Sequence, residues 1–277
     1  MKSCKDYAAE CKEQLKKEIE VKNRLLYRPP VLAVVQIGND AASSSYIKGK
    51  SKDCEEVGMI CDHIHLGENE HDTESVSEVL KRLSEDINYD GIILQLPIPD
   101  KFDLSVLQNC ISPEKDVDGF RKDSLFNPCT PKGIIGWLDD NKYDYEGKKA
   151  IVIGRSDIVG KPLANMLIEK GATVTCCNSK TKNLKDYTGN ADLVVSAIGK
   201  PKYFSSSYFY TNQVIVDVGI NRDENGKLCG DIDYDDVRRW GNTYVTPVPG
   251  GVGLLTRVAL LQNTFEAYRR KIERDLT

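Results

Sequence analysis

The segment AIVIGRSDIVGKP, residues 150–162, decides the fold. Ala150–Ile153 is a short, β-branched apolar run of the kind that fills a buried parallel strand, and Lys161-Pro162 begins a helix. Between them Gly154 and Gly160 bracket a tight turn, in which backbone N–H groups at the helix N-terminus can face a pyrophosphate. The pattern departs from G-x-G-x-x-G, because Ser156 holds the place of the middle glycine. The glycines alone therefore leave dinucleotide binding and an ordinary strand-to-helix turn equally open.

The surrounding sequence supplies the context that a dinucleotide site requires. Strand-like runs recur at Thr173–Cys177, Asp192–Ala197, Val214–Val218 and Tyr244–Val248, which predicts one doubly wound sheet. The run after the glycine turn ends in Cys177-Asn178-Ser179-Lys180, with no Asp or Glu to accept hydrogen bonds from a ribose 2′-hydroxyl. Ser179 and Lys180, with Arg155 in the turn, are suited to a 2′-phosphate, so NADP is favoured, with NAD possible. The alternative for Lys180 and Lys182 is a pair of solvated loop charges.

Upstream, apolar runs at Val31–Ile37, Met59–His65 and Gly91–Leu96 alternate with amphipathic stretches at Ser44–Val57 and Glu74–Ser84. That βαβαβ order predicts a second parallel sheet covered on both faces. The rhythm restarts at Cys129-Thr130-Pro131, a helix start with a cap and a Pro in its first turn, and Leu255–Arg274 is a long amphipathic helix. The expected fold class is α/β in two lobes, with a ligand cleft between them.

Bulk properties narrow the function. With 277 residues, 40% hydrophobic and 29% charged, the chain reads as globular, and a net charge of -4 offers no footprint for a nucleic-acid backbone. No apolar run approaches the roughly 20 residues that span a bilayer, and the amphipathic N-terminus lacks the apolar core of a secretory signal. The nine cysteines are scattered without a C-x-x-C pair, so reduced thiols in a cytoplasmic protein are expected.

Histidine is scarce. His63 and His65 alternate on one run near Asp62, Glu68 and Glu70, a constellation weighed as a metal site and set aside because it leads into a charged loop; no metal is expected. Proton handling falls to lysine, tyrosine and carboxylates. Tyr46 and Lys50 are four apart and share a helix face, whereas Lys48 cannot share it. Gln95 ends a buried run just before Pro97 and Pro99, where open α/β sheets carry functional groups. Asp116 and Asp118 lie in a turn, a place where Asp is common for backbone reasons alone.

Seven stretches together resemble the methylenetetrahydrofolate dehydrogenase/cyclohydrolase family: SSYIKGKSKDCEEVG, GIILQLPIP, PEKDVDGF, PCTPKGIIGWL, GRSDIVGKPLA, VDVGIN and TPVPGGVGLLT. They cover nearly the whole chain in the family's order. The resemblance implies oxidation of 5,10-methylenetetrahydrofolate to the methenyl form with NADP, then hydrolysis to 10-formyltetrahydrofolate. It implies a folate-binding catalytic domain over 1–128, with the helix 254–277 packing back on it, and a Rossmann-like NADP-binding domain over 129–253. Lys50 would be the catalytic lysine, Tyr46 would stack on the folate, Gln95 would tune Lys50 and Asp118 would bind the pterin. Pro249, Gly250 and Gly251 would approach folate and nicotinamide. Gly154, Arg155, Ser156, Ile158, Val159, Gly160, Ser179 and Ile220 would line the cofactor. A homodimer is the family's expectation.

The chemistry suits that inventory, because oxidation of the methylene bridge needs positioning more than a base, while water addition needs proton transfer. A lysine beside developing positive charge is expected to have a depressed pKa. Departures from the family pattern are Ala41 for Pro, Asn178 for a His before Ser179, and Leu254-Leu255 for Pro-Met beside the glycine loop. No G-x-x-x-x-G-K-[ST] loop is present, so ATP-dependent formate ligation is not expected. Three rivals remain: a monofunctional dehydrogenase, a nucleotide-sensing protein that kept the fold, and an amino-acid or shikimate-type dehydrogenase.

Overall fold

The computed structural model describes residues 1–25, 27–239 and 241–275, and divides the chain into two compact units. The first comprises Ala9–Cys129 with Arg257–Thr277, and the second Met1–Ala8 with Thr130–Thr256. Both are α/β.

Helix α1 (Cys4–Arg24), whose residues from Ala9 onward belong to the first unit, leads into β1 (Val31–Ile37), α2 (Ala41–Val57), β2 (Ile60–Leu66), α3 (Thr73–Glu85), β3 (Gly91–Leu94) and α4 (Leu104–Asn109). The sheet is parallel in the order β2-β1-β3, with Val31 opposite Ile60 and Leu32 opposite Gly91. Alternation along the strands splits the core in two. Leu32, Val34 and Ile93 pack with Ile47, Cys54 and Val57 of α2, while Ala33, Val35, Ile92 and Leu94 pack with Val76, Leu80 and Leu107.

The ends of α2 are set locally. The Asp40 carboxylate accepts the Ser43 N–H at 2.7 Å, and Gly58 closes the helix at φ 84°, donating to the Cys54 and Glu55 carbonyls. The side chain of Ala41, one of the departures noted above, lies outside the described residues.

In the second unit, α5 (Cys129–Asp140) precedes β4 (Lys149–Ile153), α6 (Gly160–Glu169), β5 (Thr173–Cys177), α7 (Leu184–Thr188), β6 (Leu193–Ser196) and β7 (Val214–Asp217). A short hairpin of β8 (Asn221–Arg222) and β9 (Leu228–Cys229), then α8 (Tyr234–Val237) and β10 (Tyr244–Val245), complete it. The five-stranded sheet is parallel, ordered β10-β7-β6-β4-β5. Because β4 pairs with β5 on one side and β6 on the other, the strand order reverses at β4, where open α/β sheets hold their ligands.

The closing helix, α9 (Val252–Asp275), starts three residues before its predicted limit and contributes Ala259–Leu261, Phe265 and Tyr268 to the first unit's core; residues 276 and 277 lie outside the described residues. Four predicted strands are shorter than expected, β6 by one residue at each end, β7 by one at its C-terminal end, and β3 and β10 by more at theirs. β3 stops at Leu94 and β10 at Val245, because Pro97, Pro247 and Pro249 offer no N–H for a ladder. Helix α5 begins at Cys129, and the Thr130 hydroxyl meets the Thr256 hydroxyl at 2.9 Å.

Candidate active site

The first unit gathers Lys50, Gln95 and Asp118. Lys50 sits on α2 one turn beyond Tyr46, and its Nζ donates to Gln95 Oε1 at 2.9 Å. Gln95 is 8% exposed and spends its Nε2 on the Leu96 carbonyl at 2.6 Å, which leaves its carbonyl oxygen for the lysine. The backbone holds both members: the Gln95 N–H donates to the Val35 carbonyl at 2.8 Å, and the Ser43 hydroxyl of α2 donates to the Leu96 carbonyl at 3.5 Å. Lys48 is exposed on the other side of the helix.

Asp118 arrives beside this pair because the loop before it runs along β3. The Ile92 N–H donates to the Lys115 carbonyl at 2.8 Å, and Ile92 bridges Asp116 in parallel. Gly119, at φ 73°, then turns the chain. Burial pushes the Asp118 carboxyl upward, and the nearby Lys50 ammonium partly offsets that. Asp116 is a structural acid: it is buried and accepts the Arg121 N–H at 2.9 Å.

Tyr46 presents a 37% exposed ring at the start of the same face. Burial raises its phenol, opposed by the charge of Arg257. Arg257 of α9 is a residue that sequence reasoning missed. Its guanidinium pairs with the buried Asp53 carboxylate and lies against Gly49, where an added Cβ would come within 3.0 Å of Nη1. The available signal was a glycine directly before Lys50, where a helix has no need of one.

In the second unit the glycine turn closes as its spacing predicts. An added Cβ on Gly154, at φ 128°, would stand 2.5 Å from the Ala197 carbonyl oxygen, and one on Gly160 would stand 2.3 Å from the Gly154 oxygen. Strand end and helix start are therefore in backbone contact. The N-cap of α6 is Val159, which has no capping side chain, although Ser156 Oγ accepts the Val159 and Gly160 N–H groups at 3.2 and 3.4 Å. Arg155 and Ser156 are exposed, while Ile158 and Val159 are half-buried. This cradle, set at the reversal of strand order, fits a dinucleotide pyrophosphate.

Ser179 lies exposed in the turn after β5, where no acid occurs, and Asn178 Oδ1 accepts the Lys180 N–H at 2.9 Å. Ile220, 48% exposed, follows β7. Beyond β10, Gly250 adopts φ 100° and an added Cβ on Gly251 would stand 2.3 Å from the Pro247 oxygen, with the Val248–Pro249 bond cis. The Leu254-Leu255 departure affects packing: Leu255 is fully buried and its carbonyl abuts Gly133.

Two acids unnoticed in the sequence set the loops around this site. Asp231 accepts from Ser196 Oγ and the Ile198 and Lys200 N–H groups, each at 2.8 Å, and from Asn221 Nδ2 at 3.0 Å. Asp217 accepts three backbone N–H groups, from Gly219, Asp231 and Ile232. Burial raises the Asp217 carboxyl to about 7. His63 and His65 turn to Gln36 Oε1 and the Gly38 carbonyl, both at 2.9 Å. Among the described residues no group of three or more His, Cys, Asp or Glu could hold a metal ion, and no helix is long and apolar enough to cross a membrane.

Sheet order, glycine turn and the acid-free end of β5 define the class: a two-domain, dinucleotide-dependent oxidoreductase. Comparison with known proteins narrows it. Residues 3–118 match the model of the tetrahydrofolate dehydrogenase/cyclohydrolase catalytic domain, and residues 128–272 that of the same family's NAD(P)-binding domain. The bifunctional protein FolD of Staphylococcus saprophyticus is 42% identical, covering 97% of both chains. Among solved structures, the bifunctional methylenetetrahydrofolate dehydrogenase/cyclohydrolase of Campylobacter jejuni superposes with a TM-score of 0.93 at 38% identity, over 97% of this chain and 98% of that one. The Trypanosoma brucei enzyme, solved with NADP and an inhibitor, gives 0.91 at 29% identity over 98% of each. The chain belongs to the tetrahydrofolate dehydrogenase/cyclohydrolase family, and is an oxidoreductase and hydrolase of one-carbon folate metabolism.

Proposed function

We propose that this chain oxidises 5,10-methylenetetrahydrofolate to the 5,10-methenyl form with NADP and hydrolyses that product to 10-formyltetrahydrofolate, with Lys50 serving the second step. The Lys50–Gln95 hydrogen bond carries this reading, because it gives one lysine a fixed position near the half-buried Asp118 carboxyl and a stacking-competent tyrosine. Tyr46 stacks on the folate rings and Asp118 hydrogen-bonds the pterin. NADP, when bound, would supply the nicotinamide that accepts a hydrogen together with its bonding electron pair from the methylene bridge. Gly154, Arg155, Ser156, Ile158, Val159 and Gly160 would hold it, with Ser179 and Arg155 available to its 2′-phosphate and Ile220 lining the site. Pro249, Gly250 and Gly251 keep the space beside folate and nicotinamide free of bulk.

Oxidation leaves a cation shared between two nitrogens, and no proton need be removed to form it, so residues that orient the folate suffice. Hydrolysis is different. Water adds to the bridging carbon and loses a proton, and the bond to one ring nitrogen breaks as that nitrogen gains one. Lys50 is the group placed to move the proton, and Gln95 holds its Nζ in position.

The domain reading follows the same division: residues 1–128 with the segment 254–277 handle folate, and 129–253 handle NADP. We also read the enzyme as a cytoplasmic homodimer, a reading supported by nine free cysteines for the compartment and by the family's habit for the dimer. A steady-state assay with methylenetetrahydrofolate, NADP or NAD, following methenyl and formyl products, tests the function. Formyl product with an NADP preference is expected. Methenyl accumulation without hydrolysis would leave only the dehydrogenase.

A further inference from the structure

Asp231 stands outside the residues assigned to folate or NADP, yet it is fully buried and its carboxylate is divided between two strand exits. Oδ2 accepts the Ser196 hydroxyl and the Ile198 N–H, both at 2.8 Å, where the chain leaves β6. Oδ1 accepts the Lys200 N–H at 2.8 Å, further along the same exit, and Asn221 Nδ2 at 3.0 Å, just beyond β7. The backbone of Asp231 is fixed as well. Its N–H donates at 2.9 Å to the carboxylate of Asp217, the last residue of β7, and its carbonyl accepts the Phe204 N–H at 2.9 Å.

Both exits reach the dinucleotide cradle. Ala197 lies between Ser196 and Ile198, and its carbonyl oxygen is the atom that an added Cβ on Gly154 would meet at 2.5 Å. Ile220 lies between Gly219 and Asn221. Asp231 Oδ1 packs directly on Gly219, where an added Cβ would stand 2.3 Å from it. One carboxylate therefore sets the spacing between the segment behind the glycine turn and the segment that carries Ile220.

We propose that Asp231 is a positioning residue for the nicotinamide half of the dinucleotide, fixing the seat of that ring through Ile198–Lys200 and Ile220 while leaving the adenine half to other groups. This role rests on the NADP reading of the same site. Arg155 and Ser179, the groups read as available to the 2′-phosphate, follow β4 and β5, which are not the exits that Asp231 holds. The carboxylate is required because it accepts at all four positions. An Asn of the same shape must turn its NH2 toward one pair of donors. Each pair contains a backbone N–H, of Ile198 or of Lys200, that cannot reverse its role. Asp231→Asn therefore releases one arm whichever way the amide is turned, and leaves a donor facing a donor.

The test compares the intact wild type, Asp231→Asn and Asn221→Ala for binding of NADPH and of 2′,5′-ADP, which carries the 2′-phosphate without a nicotinamide. The fluorescence of the bound NADPH ring reports that ring's surroundings. In Asp231→Asn the fluorescence change on binding should be largely lost, with the affinity for 2′,5′-ADP kept. NADP reduction with methylenetetrahydrofolate should fall about 10- to 100-fold in kcat, with a smaller change in the KM for NADP and unchanged hydrolysis of supplied methenyltetrahydrofolate. Asn221→Ala removes only the donor beyond β7 and should show the same pattern at several-fold, which decides the matter if Asp231→Asn fails to fold. Unaltered ring fluorescence, or equal losses for NADPH and 2′,5′-ADP, would overturn the proposal. A wild type that binds neither nucleotide would overturn it together with the NADP reading. A wild type that binds NADPH but oxidises no methylenetetrahydrofolate would count against the folate reading, with the two binding readouts still deciding the role of Asp231.

Discussion

Lys50 Nζ and Gln95 Oε1 stand 2.9 Å apart although the two residues are 45 apart in sequence. The amide of Gln95 cannot turn freely, because its nitrogen is committed to the Leu96 carbonyl. A helix face and a strand exit are thereby joined at one lysine nitrogen.

Replacing Gln95 with Met keeps the volume and removes the acceptor. A hydrogen bond to a charged group is worth about 1.5–3 kcal/mol, so hydrolysis of methenyltetrahydrofolate should slow roughly 10- to 100-fold while oxidation changes less. Gln95 acts through Lys50, so Gln95→Glu should retain hydrolysis but move its pH profile upward, which a purely structural role would not do. Initial rates across pH for both variants check this.

Arg155→Ala should raise the KM for NADP about tenfold and leave that for NAD unchanged if the exposed Arg155 makes the charge-assisted contact with the 2′-phosphate proposed above. Equal effects on both dinucleotides would place Arg155 at the pyrophosphate instead.

Gly160→Ala sets a Cβ where the Gly154 oxygen lies 2.3 Å away, so α6 must shift off the end of β4. Overpacking of this kind costs about 1–3 kcal/mol. Dehydrogenase activity and NADP binding should fall far more than hydrolysis of supplied methenyltetrahydrofolate, measured side by side with thermal unfolding.

Much of this was legible in the sequence. Hydrophobic period and the glycine spacing located the strands of both sheets to within a few residues, and elimination of histidine isolated Lys50. Contacts made at long range were not legible. Asp53 read as one of many helix charges until Arg257, 204 residues later, was found against it. Asp231 could not be told from a turn aspartate, because the groups it holds come from the exit of β6 and from Asn221. Such acids have no local pattern, since their partners are chosen by the fold.

Asp217 makes stability depend on pH. Its folded carboxyl titrates at about 7 against an ordinary 3.8, with burial as the main cause. The native state therefore holds a proton that the unfolded chain releases, and the contribution is full below about 4 and is lost as pH rises through about 7. Asp217→Asn should be less stable through lost acceptors, yet should lack this downward slope. Urea midpoints of both proteins between those limits read it out.

The central claim is that Lys50 serves water addition and not the oxidation. Lys50→Met, assayed for NADP reduction with methylenetetrahydrofolate and separately for hydrolysis of methenyltetrahydrofolate, tests it most directly. The account predicts hydrolysis abolished with measurable oxidation retained; equal and complete loss of both activities in a folded variant would contradict it.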